Sequence, residues 1–203
     1  MLLVLLAPLA LFAQRAVQLG GQRFVPEQNL ARSTRLPDAG RLGAALGGQR
    51  NALVQLQQLP TAQDIKDLAK RGITLGDYLG GHAYHALVAE GATLPPLSGG
   101  NRLTALVPVQ PGWKLHPALR EGAVPDHARA GADGARVVVR YAANATPAQV
   151  MEALGRLGLR GVEVVPTFRA AYAEMPLSAS EGVASLPWVL AVDLVPLPPS
   201  LLN

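Results

Sequence analysis

The sequence predicts an α+β fold in which one unit, ordered strand, helix, strand, strand, helix, strand, occurs twice in tandem. Three observations carry this expectation. The stretches 50–120 and 136–195 each contain an amphipathic helix that opens at a threonine cap and stops at a glycine. Strand-like runs flank both helices. Aligning Lys70-Arg71-Gly72-Ile73 with Arg156-Leu157-Gly158-Leu159 brings the two helices into register.

The elements follow in order. Leu2 to Ala13 is an unbroken apolar run, too short to cross a ~30 Å hydrocarbon core, which takes about 20 residues. Residues 1–13 read instead as a secretory signal cleaved after Ala13. The expected product is secreted or periplasmic, with no membrane association once the signal is removed. Residues 14–49 lack sustained periodicity and carry Pro26, Pro37 and several glycines. They read as an irregular, arginine-rich arm with at most a short helix near Asp38–Leu46.

The first unit (50–120) begins with a strand over Asn51–Gln57. Thr61-Ala-Gln-Asp64 caps a helix bearing Ile65, Leu68 and Ala69, and Gly72 ends it. Ile73–Leu79 and Ala83–Ala89 follow as strands. Leu97-Ser-Gly-Gly100 stands where a second helix belongs, Leu103–Val109 is the fourth strand, and Trp113–Leu119 is a short appended helix. Residues 121–135, with Pro125, Gly131 and Gly134, read as a linker.

The second unit (136–195) is the clearer copy. Arg136–Ala142 is a β-branched strand, and Thr146-Pro-Ala-Gln149 combines an N-cap, a proline at the first helical position and a capping box. Val150, Met151, Leu154 and Leu157 form one helical stripe before Gly158. Gly161–Pro166 and Arg169–Met175 are strands. Ser178-Ala-Ser-Glu181 reads as another capping box, opening a short helix that ends at Pro187, and Trp188–Leu194 is the last strand. Residues 196–203 form a proline-rich tail. This order is the split βαβ arrangement of ferredoxin-like domains, whose helices cover one face of a four-stranded antiparallel sheet.

Composition sets limits on function. Of 203 residues, 49% are apolar and 16% charged, which excludes a disordered chain. The absence of cysteine excludes a disulfide scaffold, a thiol nucleophile and any thiolate-bound metal centre. The net charge of +4 belongs to residues 1–50, almost all of it to the arm: Arg15, Arg23, Arg32, Arg35, Arg41 and Arg50 stand there against Glu27 and Asp38. From Asn51 onward twelve basic residues face twelve acidic ones. Binding to phosphate backbones needs a basic face on the folded part, so no nucleic-acid partner is expected.

Thr61–Gly72, followed by Ile73-Thr-Leu-Gly-Asp-Tyr-Leu-Gly-Gly-His-Ala-Tyr84, resembles the N-terminal prosegment of secreted bacterial subtilisin-like serine proteases. There too a helix ends in glycine, and a hairpin carries a tyrosine, a turn and another aromatic residue. Leu186-Pro-Trp-Val-Leu-Ala-Val-Asp193 resembles the end of such a prosegment. The likeness runs from Val25 to Asn203. It implies a propeptide that acts as intramolecular chaperone and transient inhibitor of a protease domain, which normally follows in cis. The sheet would pack on the enzyme's surface helices, and a C-terminal tail would lie through the substrate cleft. The corresponding tail here is Pro196, Leu197, Pro198, Pro199, Ser200, Leu201, Leu202 and Asn203. No Asp-Thr-Gly, His-Gly-Thr or Gly-Thr-Ser-Met motif occurs, so no catalytic residue carries over and the chain itself is not expected to be an enzyme. The rival expectation is an exported binding or adhesion module that uses sheet edges or the arginine-rich arm.

Unit size points the same way. Each unit has about 60–70 residues, where core burial alone is marginal and a bound partner adds stability. The remaining polar residues read as structural. His82 and His85 flank Ala83 and Tyr84 near a turn, match no zinc pattern, and read as loop histidines; His116 and His127 stand alone. Asp64 and Asp67 complement a helix dipole. The pairs Gly20-Gly21, Gly80-Gly81 and Gly99-Gly100 read as turns. Asn144-Ala-Thr146 matches a glycosylation sequon, but Thr146 has a capping role. Trp113 and Trp188 read as core anchors, and Ser98 and Ser185 lack a nucleophile-elbow context. No metal or cofactor site is expected.

Overall fold

The computed structural model describes residues 15–26, 42–94, 96–97 and 100–197. The expected signal (1–13), residues 38–41 of the expected helix near Asp38–Leu46, and residues 198–203 of the tail lie outside them, and residues 42–46 form no α-helix.

Threonine caps start both long helices. In α1 (Ala62–Lys70), Thr61 Oγ1 accepts from the Asp64 amide at 3.1 Å and the Asp64 carboxylate accepts from the Thr61 amide at 2.9 Å. In α4 (Pro147–Arg156), Thr146 and Gln149 make the same reciprocal pair. Gly72 and Gly158 follow the helices with φ of 82° and 83°, a left-handed turn that glycine adopts without strain. Leu68 and Leu154, at matching positions, are fully buried.

The first sheet contains β3 (Gln49–Leu56), β4 (Ile73–Gly80), β5 (Ala83–Ala89) and β6 (Leu103–Pro108) in the order β4-β5-β3-β6, with every neighbour antiparallel. The second contains β7 (Gly134–Tyr141), β8 (Arg160–Val165), β9 (Ala170–Pro176) and β10 (Val189–Leu194) in the order β10-β7-β9-β8, again antiparallel throughout. Counted within each unit, both orders are 4-1-3-2, the ferredoxin-like arrangement. The fold is α+β with two such units. A helix face of the first sheet, with Ala52, Val54, Ala86 and Leu106, packs on Leu68. Val137, Val139, Ala171 and Met175 of the second pack on Val150 and Leu154.

The copies differ where the first lacks its second helix. Among the described residues between β5 and β6, Ala92, Leu94 and Leu97 cover the core in its place. Asn101 ties this connection to the start of α1, its Oδ1 accepting from the amides of Gln58 and Arg102.

Four expectations are corrected. Part of the arm is regular: β1 (Val17–Leu19) and β2 (Gln22–Phe24) form a hairpin around Gly20 and Gly21, whose φ values of 54° and 70° suit a two-residue turn. Strands of three residues are too short to show alternation. The appended helix is two, α2 (Pro111–Lys114) and α3 (Pro117–Glu121), each opened by a proline. The segment around them is no free linker, because Leu115, Leu119, Val124 and Ala128 join the second core. The boundary expected at residue 120 therefore cuts through a packed segment. The short helix α5 (Ser180–Ser185) has no side-chain cap, since Leu177–Ala179 coil into a 3₁₀ turn that leads directly into it.

The two units pack together. Leu115 pairs in parallel with Val192 of β10, and the His116 amide donates to the Val192 carbonyl at 2.9 Å, covering part of an otherwise open sheet edge. Lys114 Nζ donates to the Leu186 carbonyl at 3.1 Å, and Asn51 Nδ2 donates to the Pro187 carbonyl.

Candidate functional site

The face of the second sheet opposite its helices is built by strand parity. Arg136, Val138 and Arg140 of β7 alternate with the buried Val137 and Val139; Tyr172 and Glu174 do the same on β9. Cross-strand pairing aligns Arg136 with Glu174, and Asp193, Val138, Tyr172 and Glu163 in one row. Opposite charges thus stand beside one another around a small apolar centre, and Tyr172 is 39% exposed. Beyond β10 the chain continues through Val195, whose amide donates to the Arg136 carbonyl, to the exposed Pro196 and Leu197. The remaining expected tail residues, 198–203, lie outside the described residues.

The equivalent face of the first sheet is filled. Val17 of the hairpin packs with Leu53, Ala83 and Val107, and Phe24 stacks on Trp113 with ring centroids 4.2 Å apart. Gln55, 1% exposed, donates to the Arg15 and Gly81 carbonyls and pins the hairpin's start. The central strand β3 is consequently buried on both faces, which is why Ala52–Leu56 reads as a nearly continuous apolar run.

Further along that face, the first sheet meets the second unit across a cleft of about 180 Å³. Leu75, Ala86, Leu87, Ala142, Ala143 and Leu190 supply apolar walls, and Asn51, Asp77, His85 and Arg169 the polar groups. Asp77 is held by two guanidinium groups of the other unit, Arg140 Nη2 at 2.6 Å and Arg169 Nη2 at 3.2 Å. Arg169 has φ of 48°, a left-handed conformation unusual for a residue with a side chain. His85 is 5% exposed, and its Nδ1 has no hydrogen-bond partner. Burial pushes its imidazole pKa down to about 4 against the attraction of Asp77, with Arg140 and Lys114 adding to the drop. Burial likewise lowers the Lys114 ammonium to about 8. It raises the Asp193 carboxyl, against the pull of His116 and Arg140.

His85 is therefore not a loop histidine. It sits within β5 between Ala83 and Leu87, on a strand whose two faces are both covered. His82 does occupy a turn, with φ of 61° and its Nδ1 at 3.0 Å from the Gln57 carbonyl. His116, given no role from sequence, caps α3: its Nδ1 accepts from the Ala118 amide at 3.2 Å. Asp64 is the buried capping carboxylate and Asp67 pairs with Lys70 at 3.8 Å. Trp188 is 4% exposed in the second core, whereas Trp113 packs under the hairpin. Sequence reasoning missed Asp77, Arg140 and Arg169. They lie 63 and 92 positions apart, so no local pattern marks the cluster. Among the described residues no group of three or more His, Cys, Asp or Glu side chains is placed to hold a metal ion. Among them, too, no helix is long and apolar enough to cross a membrane.

A family described as a domain of unknown function (DUF8729) matches residues 18–110. The match runs from within β1 to just past β6, so it takes in the hairpin together with the whole first sheet. No match was found among curated proteins or among solved structures.

Proposed function

We propose that the chain is a non-catalytic prosegment of a secreted subtilisin-like serine protease, acting as chaperone and transient inhibitor of a protease domain. One observation carries this reading. The outer face of the second sheet is open around Val138 and Tyr172, and the exposed Pro196 and Leu197, which begin the proline-rich tail, follow the edge strand β10 of the same sheet. A sheet face and a tail in continuity are what the resemblance requires for surface docking and occlusion of a cleft. The first unit, its corresponding face filled by the hairpin and Trp113, supports the second rather than docking itself. Secretion belongs to this reading through the apolar run at residues 2–13.

The test is enzymatic. The full chain, at micromolar concentration, is mixed with a bacterial subtilisin-like protease domain and substrate turnover is followed. Slowed turnover is expected. It is expected to weaken when residues 196–203 are removed, and again in Tyr172→Asp, which places a charge at the exposed centre of the face. Unchanged turnover with the intact chain would overturn the proposal. It would favour a binding or adhesion module, as would unrelated coding sequence downstream of residue 203 in place of Asp, His and Ser motifs.

A further inference from the structure

We propose that the cleft between the two units is a binding site for a carboxylate carried on a short aliphatic stem, independently of the prosegment reading. Four observations converge there. The cleft is a real cavity of about 180 Å³. At roughly 30 Å³ per water, it has the space of about six waters, or of a molecule with a similar number of heavy atoms. Its walls are apolar, formed by Leu75, Leu87 and Leu190 with small alanines between them. His85 lines it, nineteen-twentieths buried, with an Nδ1 that no group satisfies. A buried polar atom without a partner is uncommon and marks a position where something else supplies the partner.

Charge selects the ligand. Two guanidinium groups meet the single carboxylate of Asp77, and each uses only its Nη2 atom there. Arg140 also faces the Asp193 carboxylate, and Lys114 adds a third positive charge near His85, so these five groups keep one positive charge in excess, and Arg169, which lines the cleft, retains N–H donors. Its backbone is fixed in the left-handed region by two hydrogen bonds: its amide donates to the Pro166 carbonyl at 3.0 Å and its carbonyl accepts from Tyr141 at 2.9 Å. A non-glycine residue held in this conformation points to a required side-chain position. A carboxylate offers two acceptor oxygens, one for the spare guanidinium donors and one for an Nδ1–H, while its stem takes the leucine-lined space. A free short-chain acid and the C-terminus of an apolar peptide share this chemistry.

The experiment is an NMR titration of the full chain, following the His85 imidazole signals. Sodium butyrate, the peptide Ala-Ala-Val with a free C-terminus and the same peptide amidated are the probes, with butanamide as the uncharged control. A saturable shift with butyrate or with the free-terminus peptide is expected, with Kd on the order of 1 mM for a ligand of six heavy atoms. Saturation by butyrate alone assigns the free acid, and saturation by the free-terminus peptide alone assigns the chain terminus. Saturation by both assigns the shared carboxylate chemistry. Arg169→Gly is expected to weaken binding by at least about tenfold while its thermal midpoint holds or rises, because glycine adopts a φ of 48° without strain. Arg169→Gln replaces it in the same titration if the glycine variant does not fold. The proposal is overturned if neither carboxylate saturates, if butanamide or the amidated peptide binds equally well, or if loss of the Arg169 side chain leaves the affinity unchanged.

Discussion

Acidification tests the inter-unit cleft through His85. Its folded pKa of about 4 lies below the ordinary 6.5, so between those values the unfolded chain takes up a proton that the folded chain refuses. Stability therefore falls as pH drops from about 6.5 to about 4 and is constant, as far as this group is concerned, above that window. The displacement from 6.5 to about 4 corresponds to about 3 kcal/mol once the titration is complete. Other groups titrate in acid too, including Asp193, whose carboxyl burial raises. The comparison is therefore between wild type and His85→Leu, each unfolded in urea at pH 7.5, 6.5, 5.5 and 4.5. The gap between the two curves is expected to shift by about 2–3 kcal/mol across the series, to the disadvantage of the wild type in acid. At pH 7.5 the leucine variant should be at least as stable, since it leaves no unpartnered Nδ1. Two parallel curves would refute the reasoning and show that the imidazole is solvated or paired.

Other changes have expected magnitudes. Leu154→Ala empties a fully buried site under the second sheet and should cost about 2–5 kcal/mol, while Thr146→Ala removes a cap worth about 1 kcal/mol, both read from urea midpoints. Asp77→Ala breaks both ion pairs across the units; with the partner arginines about half exposed, the loss should be about 1 kcal/mol and should shrink in high salt. Lys114, lowered to about 8 from 10.5, is charged at neutral pH at the cost of its burial. The folded chain releases that proton first on the alkaline side, so stability should rise between about pH 8 and 10.5 in wild type relative to Lys114→Met.

Much of the fold is legible because its signals are local. Thr61 with Asp64 and Thr146 with Gln149 announce two helix starts within four residues each, and Gly72 and Gly158 announce their ends. Alternation on Arg136–Tyr141 appears because one face of β7 is buried and the other largely open. Where that contrast disappears, legibility goes with it. β5 is covered on both faces, so Ala83–Ala89 shows no polar alternation to reveal His85 as an interior residue. The hairpin at Val17–Phe24 is too short to show a period, and its burial depends on Trp113, almost ninety residues away. The Asp77 cluster is invisible for a related reason: its members come from β4, β7 and the turn before β9, brought together only when the units pack.

Refolding tests the proposed role most directly. A denatured subtilisin-like protease domain, diluted into buffer with and without the full chain, should regain more active enzyme with it, and the recovered activity should stay suppressed until the chain is digested. An equal yield in both dilutions, with activity uninhibited from the start, would contradict the account.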